Sequence, residues 1–285
     1  MRTLIAEIFK LLFKIQYIKN HFFGIHKRIF FPLDLFKGVT RIIIYKKLKL
    51  FLQIDDWIQE IIYFLGDYEK AELETLKLFL QKDSVFIDIG ANFGLYTLNA
   101  SKLIGQNGHI ISFEPFYQNF NSLKKNILLN NLKNIKIEKL AIGEINGVLK
   151  MYYDDKEKNL GMASMIQMKS GRKEDVNVVS LDSYLESKTF IKKIDLIKID
   201  VEGFEYSALM GMQNTLITYS PSIIIEILTE KGLENSKKIH AFFERFEYKK
   251  YFIDDNGKLL SHKTNHNRLN YIFTKRTFTN TEYKK

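Results

Sequence analysis

Residues 85–98 read VFIDIGANFGLYTL, a dense apolar run that breaks off in Gly90, Ala91, Asn92, Phe93 and Gly94 and then resumes with helical spacing. A short apolar run bounded by glycines reads as a buried strand, and the glycines after it as a tight turn into a helix. Gly90 and Gly94 let the backbone turn sharply and approach a ligand, and the N–H groups that open the helix attract an anionic group. The turn carries Asp88 in the pattern Asp-x-Gly-x-x-x-Gly. A dinucleotide fingerprint is G-x-G-x-x-G, and a carboxylate in this place repels a diphosphate. The pattern therefore favours a cationic ligand with a small anionic end.

Outward from this turn the chain alternates. HIISFE (109–114) reads as a second strand, followed by a helix from Tyr117 to about Asn130, and IKIEKLAIG (135–143) reads as a third strand. IDLIKIDVEG (194–203) and SIIIEIL (222–228) follow as the fourth and fifth, with helical patterns over 204–219 and 234–246. Short apolar strands alternating with helices predict an α/β fold with a parallel sheet covered on both faces. YKKYFI and LNYIFT, separated by the polar turn Asp254–Lys258 and a short loop, predict a final antiparallel pair.

Ligands of such sheets bind beyond the carboxyl ends of the strands. The second strand ends in Glu114 and Pro115, about 20 residues after the glycine turn, where an acid accepts the hydroxyls of a ribose. Ribose on Glu114, a carboxylate toward backbone N–H groups and a sulfonium near carboxylates describe S-adenosylmethionine. The alternative reading of Glu114 is an acid at a helix N-terminus, stabilised by the helix dipole.

The motifs FLGDYEKAE, FIDIGANFGLYTL, ISFEPF, NILLNNL, LAIG, LIKIDVEGFEYSALMG and PSIIIEI occur in an order and spacing that closely resembles the FkbM family of S-adenosylmethionine-dependent methyltransferases, from about Asp56 to Leu228. The resemblance implies the class I methyltransferase fold, a Rossmann-like, seven-stranded, mostly parallel sheet with its last strand inserted antiparallel. It implies transfer of a methyl group to a hydroxyl oxygen. Residues carried over as cofactor-binding are Asp88, Gly90, Ala91, Asn92, Gly94, Glu114, Pro115 and Asp200. Tyr68 and Glu69 of GDYE are expected to fold over the amino-acid end of the cofactor, and Leu140 and Ala141 to border the adenine.

In IKIDVEG, Lys198, Asp200 and Glu202 alternate onto one strand face. Asp200 or Glu202 is the candidate general base for a hydroxyl acceptor. The two carboxylates equally suit a divalent cation, since hard cations take carboxylate oxygens; the sequence leaves the metal undetermined. Lys198 within a buried strand requires a partner, and a Lys198–Glu202 ion pair with Asp200 facing the cofactor is the structural alternative. Glu226 at the end of the fifth strand is a candidate lining residue of the acceptor pocket. His262 and His266 are alternative bases because histidine titrates near neutral pH.

The net charge of +10 is uneven. Met1 to Gln53 hold eleven Lys and Arg against Glu7 and Asp34, a net charge of +9. Leu4, Ile5, Ile8, Leu11, Leu12, Ile15 and Ile18 recur at helical steps, so this segment reads as a basic amphipathic helical appendage (1–53) before a methyltransferase domain (54–276) and a flexible tail (277–285). Glu7, Lys10 and Lys14 interrupt every apolar run well short of the roughly 18 to 20 residues of a membrane span. The apolar face packs on the protein's own body or in a homo-oligomer, or else residues 1–30 lie on an anionic membrane surface. Nucleic acid is not the expected partner, since the charge does not surround the Asp200 motif and Asp-Val-Glu-Gly stands where an amino-group methylase of adenine has an Asn-Pro-Pro-Tyr-like strand end. The absence of cysteine fits a reducing compartment, so the expected location is cytoplasmic, and peripheral at the inner face of the membrane if residues 1–30 take the membrane alternative. The expected acceptor is a small molecule or glycan, namely a sugar hydroxyl of a glycan, glycolipid or related metabolite. The reading from another class is a methyltransferase-fold scaffold without turnover.

Overall fold

The computed structural model describes residues 1–153, 172–227, 233–262 and 269–278. Leu228, His266 and the tail beyond 278 lie outside the described residues. The chain divides into two compact units, one of Met1–Glu69 and one that begins at Lys70 and holds the other described residues. The first unit takes in, besides the basic segment to Gln53, the helix that follows it.

In the first unit, helices α1 (Arg2–Leu12), α2 (Gln16–Asn20) and α3 (Phe22–Ile25) lead through a π-helical turn, His26–Phe30, to an antiparallel hairpin of β1 (Thr40–Tyr45) and β2 (Leu48–Gln53) and to α4 (Trp57–Leu65). α4 is delimited by local chemistry. Asp56 caps its start by accepting from the Gln59 N–H at 3.1 Å, and Gly66 ends it at a left-handed φ of +85°. The unit is organised by aromatic rings: Phe13, Phe22, Phe30 and Phe36 are buried, with Phe13 5.4 Å and Phe30 5.5 Å from Phe64. α1 enters this core through Ala6, Phe9 and Phe13. The aliphatic series identified by periodicity lies on the other side, with Leu4, Ile8, Leu11, Leu12 and Ile15 exposed. Ile5 and Ile18 of the same series are half-buried.

The second unit contains α5 (Lys70–Phe79), β3 (Val85–Ile89), α6 (Leu95–Ile104), β4 (His109–Phe113), α7 (Tyr117–Leu129), β5 (Ile135–Glu138), β6 (Ala141–Ile142), β7 (Gly147–Tyr153), β8 (Arg172–Val179), α8 (Leu181–Glu186), β9 (Leu196–Ile199), α9 (Glu205–Met210), α10 (Gln213–Tyr219), β10 (Ser222–Glu226), α11 (Leu233–Arg245), β11 (Lys249–Ile253), β12 (Leu259–Leu260) and β13 (Asn270–Thr274). The main sheet has the order β12-β11-β13-β10-β9-β3-β4-β5. β10, β9, β3, β4 and β5 are parallel, and β13 is inserted antiparallel between β10 and β11. Every residue of β3 is buried, which is why this strand reads as an unbroken apolar run.

Three features differ from the pattern read in the sequence. Among the described residues the main sheet has eight strands instead of seven. Asp254 Oδ1 accepts from the N–H groups of Asn256 and Lys258, both at 2.8 Å, and this turn folds the two-residue β12 back onto β11. The expected single strand over 135–143 is two. The main-sheet part stops at Glu138, and β6 pairs with β8 in a separate three-stranded sheet ordered β6-β8-β7. The 204–219 stretch is also broken, at Gly211, where an added Cβ would lie 1.9 Å from the carbonyl oxygen of Gly143. That close approach admits only glycine.

Candidate functional site

From β3 the chain proceeds to β4 and β5 on one side, while β9 and β10 lie on the other. Connections diverge between β3 and β9, which makes their carboxyl ends the crevice where an open α/β sheet binds ligands. Five segments end there: the glycine turn after β3, Glu114 after β4, Leu140 after β5, Asp200 after β9 and Glu226 at the end of β10.

The glycine turn is fixed by its backbone. Gly90 (φ +80°), Asn92 (φ +50°) and Gly94 (φ +98°) all occupy left-handed conformations. The N–H groups of Gly90 and Ala91 both donate to the carbonyl of Phe113 at 3.0 Å, and Asn126 Nδ2 donates to the carbonyl of Phe93 at 2.9 Å. A Cβ at Gly90 would lie 1.8 Å from the carbonyl oxygen of Asp200, and one at Gly94 would lie 2.6 Å from Leu123 Cδ1. The first glycine thus allows β3 and β9 to close together; the second lets α6 start against α7.

Glu114 is buried, and its two oxygens accept from the backbone N–H groups of Asn92 (2.8 Å) and Phe116 (3.0 Å). Burial pushes its carboxyl up to about 7, against the pull of those two N–H groups and the Asn119 side chain. A carboxylate has about four lone-pair sites, so both bonds leave acceptor capacity for hydroxyls. Pro115 beside it is half-buried.

Asp88 is fully buried. Its Oδ2 accepts from Thr97 Oγ1 at 2.5 Å, Thr97 in turn lies 2.7 Å from Ser112 Oγ, and burial raises the carboxyl above the usual carboxylate range. Asp88 Oδ1 and Asn92 Oδ1 are buried acceptors without a hydrogen-bond partner among the described residues. Buried acceptors of this kind suit a ligand that brings donors, such as an ammonium and vicinal hydroxyls. This donor-seeking chemistry fits S-adenosylmethionine.

β9 ends at Ile199, so strand alternation does not extend to Glu202, which sits in the following turn at φ +52°. Lys198 is buried; its Nζ lies 2.9 Å from Asp200 Oδ2, 3.5 Å from the Gly90 carbonyl oxygen and 4.6 Å from the centroid of the Tyr96 ring. Lys198 thus forms an ion pair with Asp200. Asp200, Glu202 and Glu226, all half-buried, each present a carboxylate oxygen within 4.8 Å of the others.

The structure therefore brings together Asp88, Gly90, Ala91, Asn92, Gly94 and Glu114, with Lys198 and Asp200 across the strand gap and Glu202 and Glu226 converging on Asp200. Leu140 and Ala141 are half-buried at the passage from β5 to β6. Tyr68 and Glu69 are half-buried residues at the end of the first unit, Glu69 at φ +46°. His262 is exposed just beyond β12.

Sequence reasoning missed Tyr96, Thr97, Asn119 and Glu205. The last is buried, accepts from the Gly203 N–H at 2.8 Å and is raised by burial. Tyr96 and Thr97 stand in the first turn of α6 just after Gly94, and Asn119 in the first turn of α7, where residue type alone does not record a role. Glu205 stands in the quoted motif, three residues after Glu202, and its burial has no local signature.

Sheet order, the glycine turn at the switch point and the acid at the next strand end define a Rossmann-like methyltransferase. The methyltransferase FkbM domain matches residues 88–250, more than half of the chain, and the chain belongs to that family. It is a methyltransferase of the S-adenosylmethionine-dependent type. The chain is similar to "Methyltransferase 1" of Beauveria bassiana (strain ARSEF 2860), 25% identical over 169 residues that cover 53% of this chain and 67% of the relative. It is also similar to "Methyltransferase sdnD" of Sordaria araneosa, 24% identical over 193 residues, 58% of this chain and 73% of the relative. Among solved structures it is similar to the methyltransferase FkbM from Methylobacillus flagellatus KT, with 16% identity, a TM-score of 0.46 and coverage of 76% of this chain and 52% of that one.

Proposed function

We propose that the chain transfers a methyl group from S-adenosylmethionine to a hydroxyl oxygen of a sugar in a glycan, glycolipid or related metabolite. The observation that carries this reading is the convergence of Asp200, Glu202 and Glu226 at the carboxyl ends of β9 and β10, with Asp200 against the glycine turn. A hydroxyl must lose its proton as its oxygen bonds to carbon, and a carboxylate in reach of it supplies the acceptor. The cofactor, when bound, supplies a methyl group already activated on sulfur. The protein's task is then to align the acceptor and to receive one proton.

Asp200 is tied to the buried Lys198 at 2.9 Å, which fits a positioning role. Glu202, in the strained turn after it, is the proposed base. Glu114 is proposed to accept the ribose hydroxyls and the N–H groups of the glycine turn to hold the anionic end. The three converging carboxylates are also the oxygen donors that a divalent cation takes, and this is the second reading of the same cluster.

Incubation with methyl-labelled cofactor and a panel of sugar-containing acceptors tests the proposal. Label should appear in base-stable ether linkage on one acceptor class and be lost in Glu202→Gln. Label on a carboxyl or amino group instead would overturn methylation of a hydroxyl. Chelator treatment that abolishes activity, restored by added magnesium or manganese, would select the metal reading over Glu202 as the unaided base.

A further inference from the structure

The outward side of α1 carries an aliphatic ridge, with the exposed Glu7 at its edge. Ala6, Phe9 and Phe13 turn inward, and the flank holds Glu7, bonded to Arg41 at 2.9 Å, and Lys10, 4.2 Å above the Tyr63 ring. Opposite them Leu4 is 65%, Ile8 48%, Leu11 61% and Leu12 36% exposed. These positions follow one another at helical neighbour spacing, so they form one continuous ridge. A surface helix ordinarily has polar residues there, and a contiguous exposed apolar strip marks an interaction site. Ile15 extends the strip past the helix, 53% exposed.

The charge of the same segment selects the occupant. Arg2, Lys14, Lys27, Arg28, Lys37 and Lys47 are exposed, within a stretch whose net charge is +9. A second copy seated symmetrically on the ridge would bring two such cationic segments together, at an electrostatic cost. Nucleic acid would match the charge and leave the aliphatic ridge in water. An anionic lipid surface satisfies both, since acyl chains receive the ridge and headgroups the cations. α1 has eleven residues, and among the described residues no helix is long and apolar enough to cross a membrane. The helix would therefore lie in the plane of the interface.

We propose that the first unit docks on anionic bilayers through α1, with Leu4, Ile8, Leu11 and Leu12 entering the headgroup–acyl boundary and the exposed Lys and Arg of the same segment drawn to the headgroups. This inference stands on the first unit alone and does not rest on the reading of the methyl-transfer site.

Sedimentation of the full chain with vesicles of phosphatidylglycerol and phosphatidylcholine, and with phosphatidylcholine alone, tests it. Two variants accompany it, Leu4→Glu with Leu11→Glu, and Lys14→Gln with Lys27→Gln and Arg28→Gln. The full chain should bind the anionic vesicles and bind phosphatidylcholine weakly. The first variant should lose about a hundredfold in partitioning. The second should lose roughly fivefold per charge removed, an effect that added salt mimics. Unchanged thermal unfolding and S-adenosylhomocysteine binding in both variants would show that folding is intact. Equal vesicle binding by the Leu4 and Leu11 variant overturns the proposal. So does a dimer in sedimentation velocity that this variant dissociates while the full chain ignores vesicles.

Discussion

Gly90 packs its α-carbon against the carbonyl of Asp200 so closely that a Cβ would lie 1.8 Å from that oxygen. The obstacle is backbone, which cannot rotate aside, and Gly90 also holds φ +80°. Gly90→Ala should therefore separate β3 from β9 or fail to fold, a loss of more than about 3 kcal/mol. Gly203→Ala is the matched control, with φ +107° and nothing within 4 Å of the added carbon, so it should show only backbone strain of about 1–2 kcal/mol. Denaturant unfolding of both variants separates clash from strain.

The buried Glu114 carboxyl, pushed up to about 7, sets a pH dependence. A carboxyl whose pKa rises on folding binds its proton more tightly in the native state. The stability it contributes is complete below about 4.5 and is lost as pH rises through about 7, on the order of 3 kcal/mol. Glu114→Gln should flatten this part of the stability curve. If the ionised form accepts ribose hydroxyls, S-adenosylhomocysteine affinity should move in the opposite sense and strengthen through the same window. Calorimetric titrations at pH 6 and pH 8 read this directly, and a Gln variant with the same pH profile would refute the assignment.

The buried ion pair distinguishes positioning from proton transfer. Asp200→Ala leaves the Lys198 ammonium buried without its 2.9 Å partner and should cost about 3 kcal/mol of stability. Adding Lys198→Met should return much of that stability without restoring turnover. Glu202→Gln should abolish turnover with little change in unfolding midpoint. A large stability loss in Glu202→Gln with turnover retained would reverse the two roles.

Thr97 connects Asp88 to Ser112 inside the sheet. Thr97→Val keeps the shape and removes the donor to a fully buried carboxyl, so it should cost about 1–3 kcal/mol. Thermal unfolding measures this, and an unchanged midpoint would mean that Asp88 finds another donor.

The parallel sheet was legible because its strands are buried on both faces, so β3 reads as VFIDI without a polar alternation. β8 was not. In RKEDVNVV the exposed positions are charged or polar, and the inward signal rests on Val176 and Val178, since Glu174 pairs with Lys139 instead. α1 misled periodicity for a physical reason: both of its sides are apolar, and its inward face is chosen by rings from distant segments, Phe30 and Phe64, which no local pattern records. In the site, Gly90, Glu114 and Asp200 stand at strand ends where chain order alone locates them. Their partners come from tertiary packing: the Asn92 amide for Glu114, Tyr96 for Lys198 and Thr97 for Asp88.

The most direct test of the account is calorimetric titration of the full chain with S-adenosylhomocysteine, beside NAD and beside the Glu114→Ala variant. Micromolar binding of S-adenosylhomocysteine, none of NAD, and a clear weakening in the variant are the predicted result. Absence of S-adenosylhomocysteine binding by a folded protein, or equal binding in Glu114→Ala, would contradict the cofactor site described here.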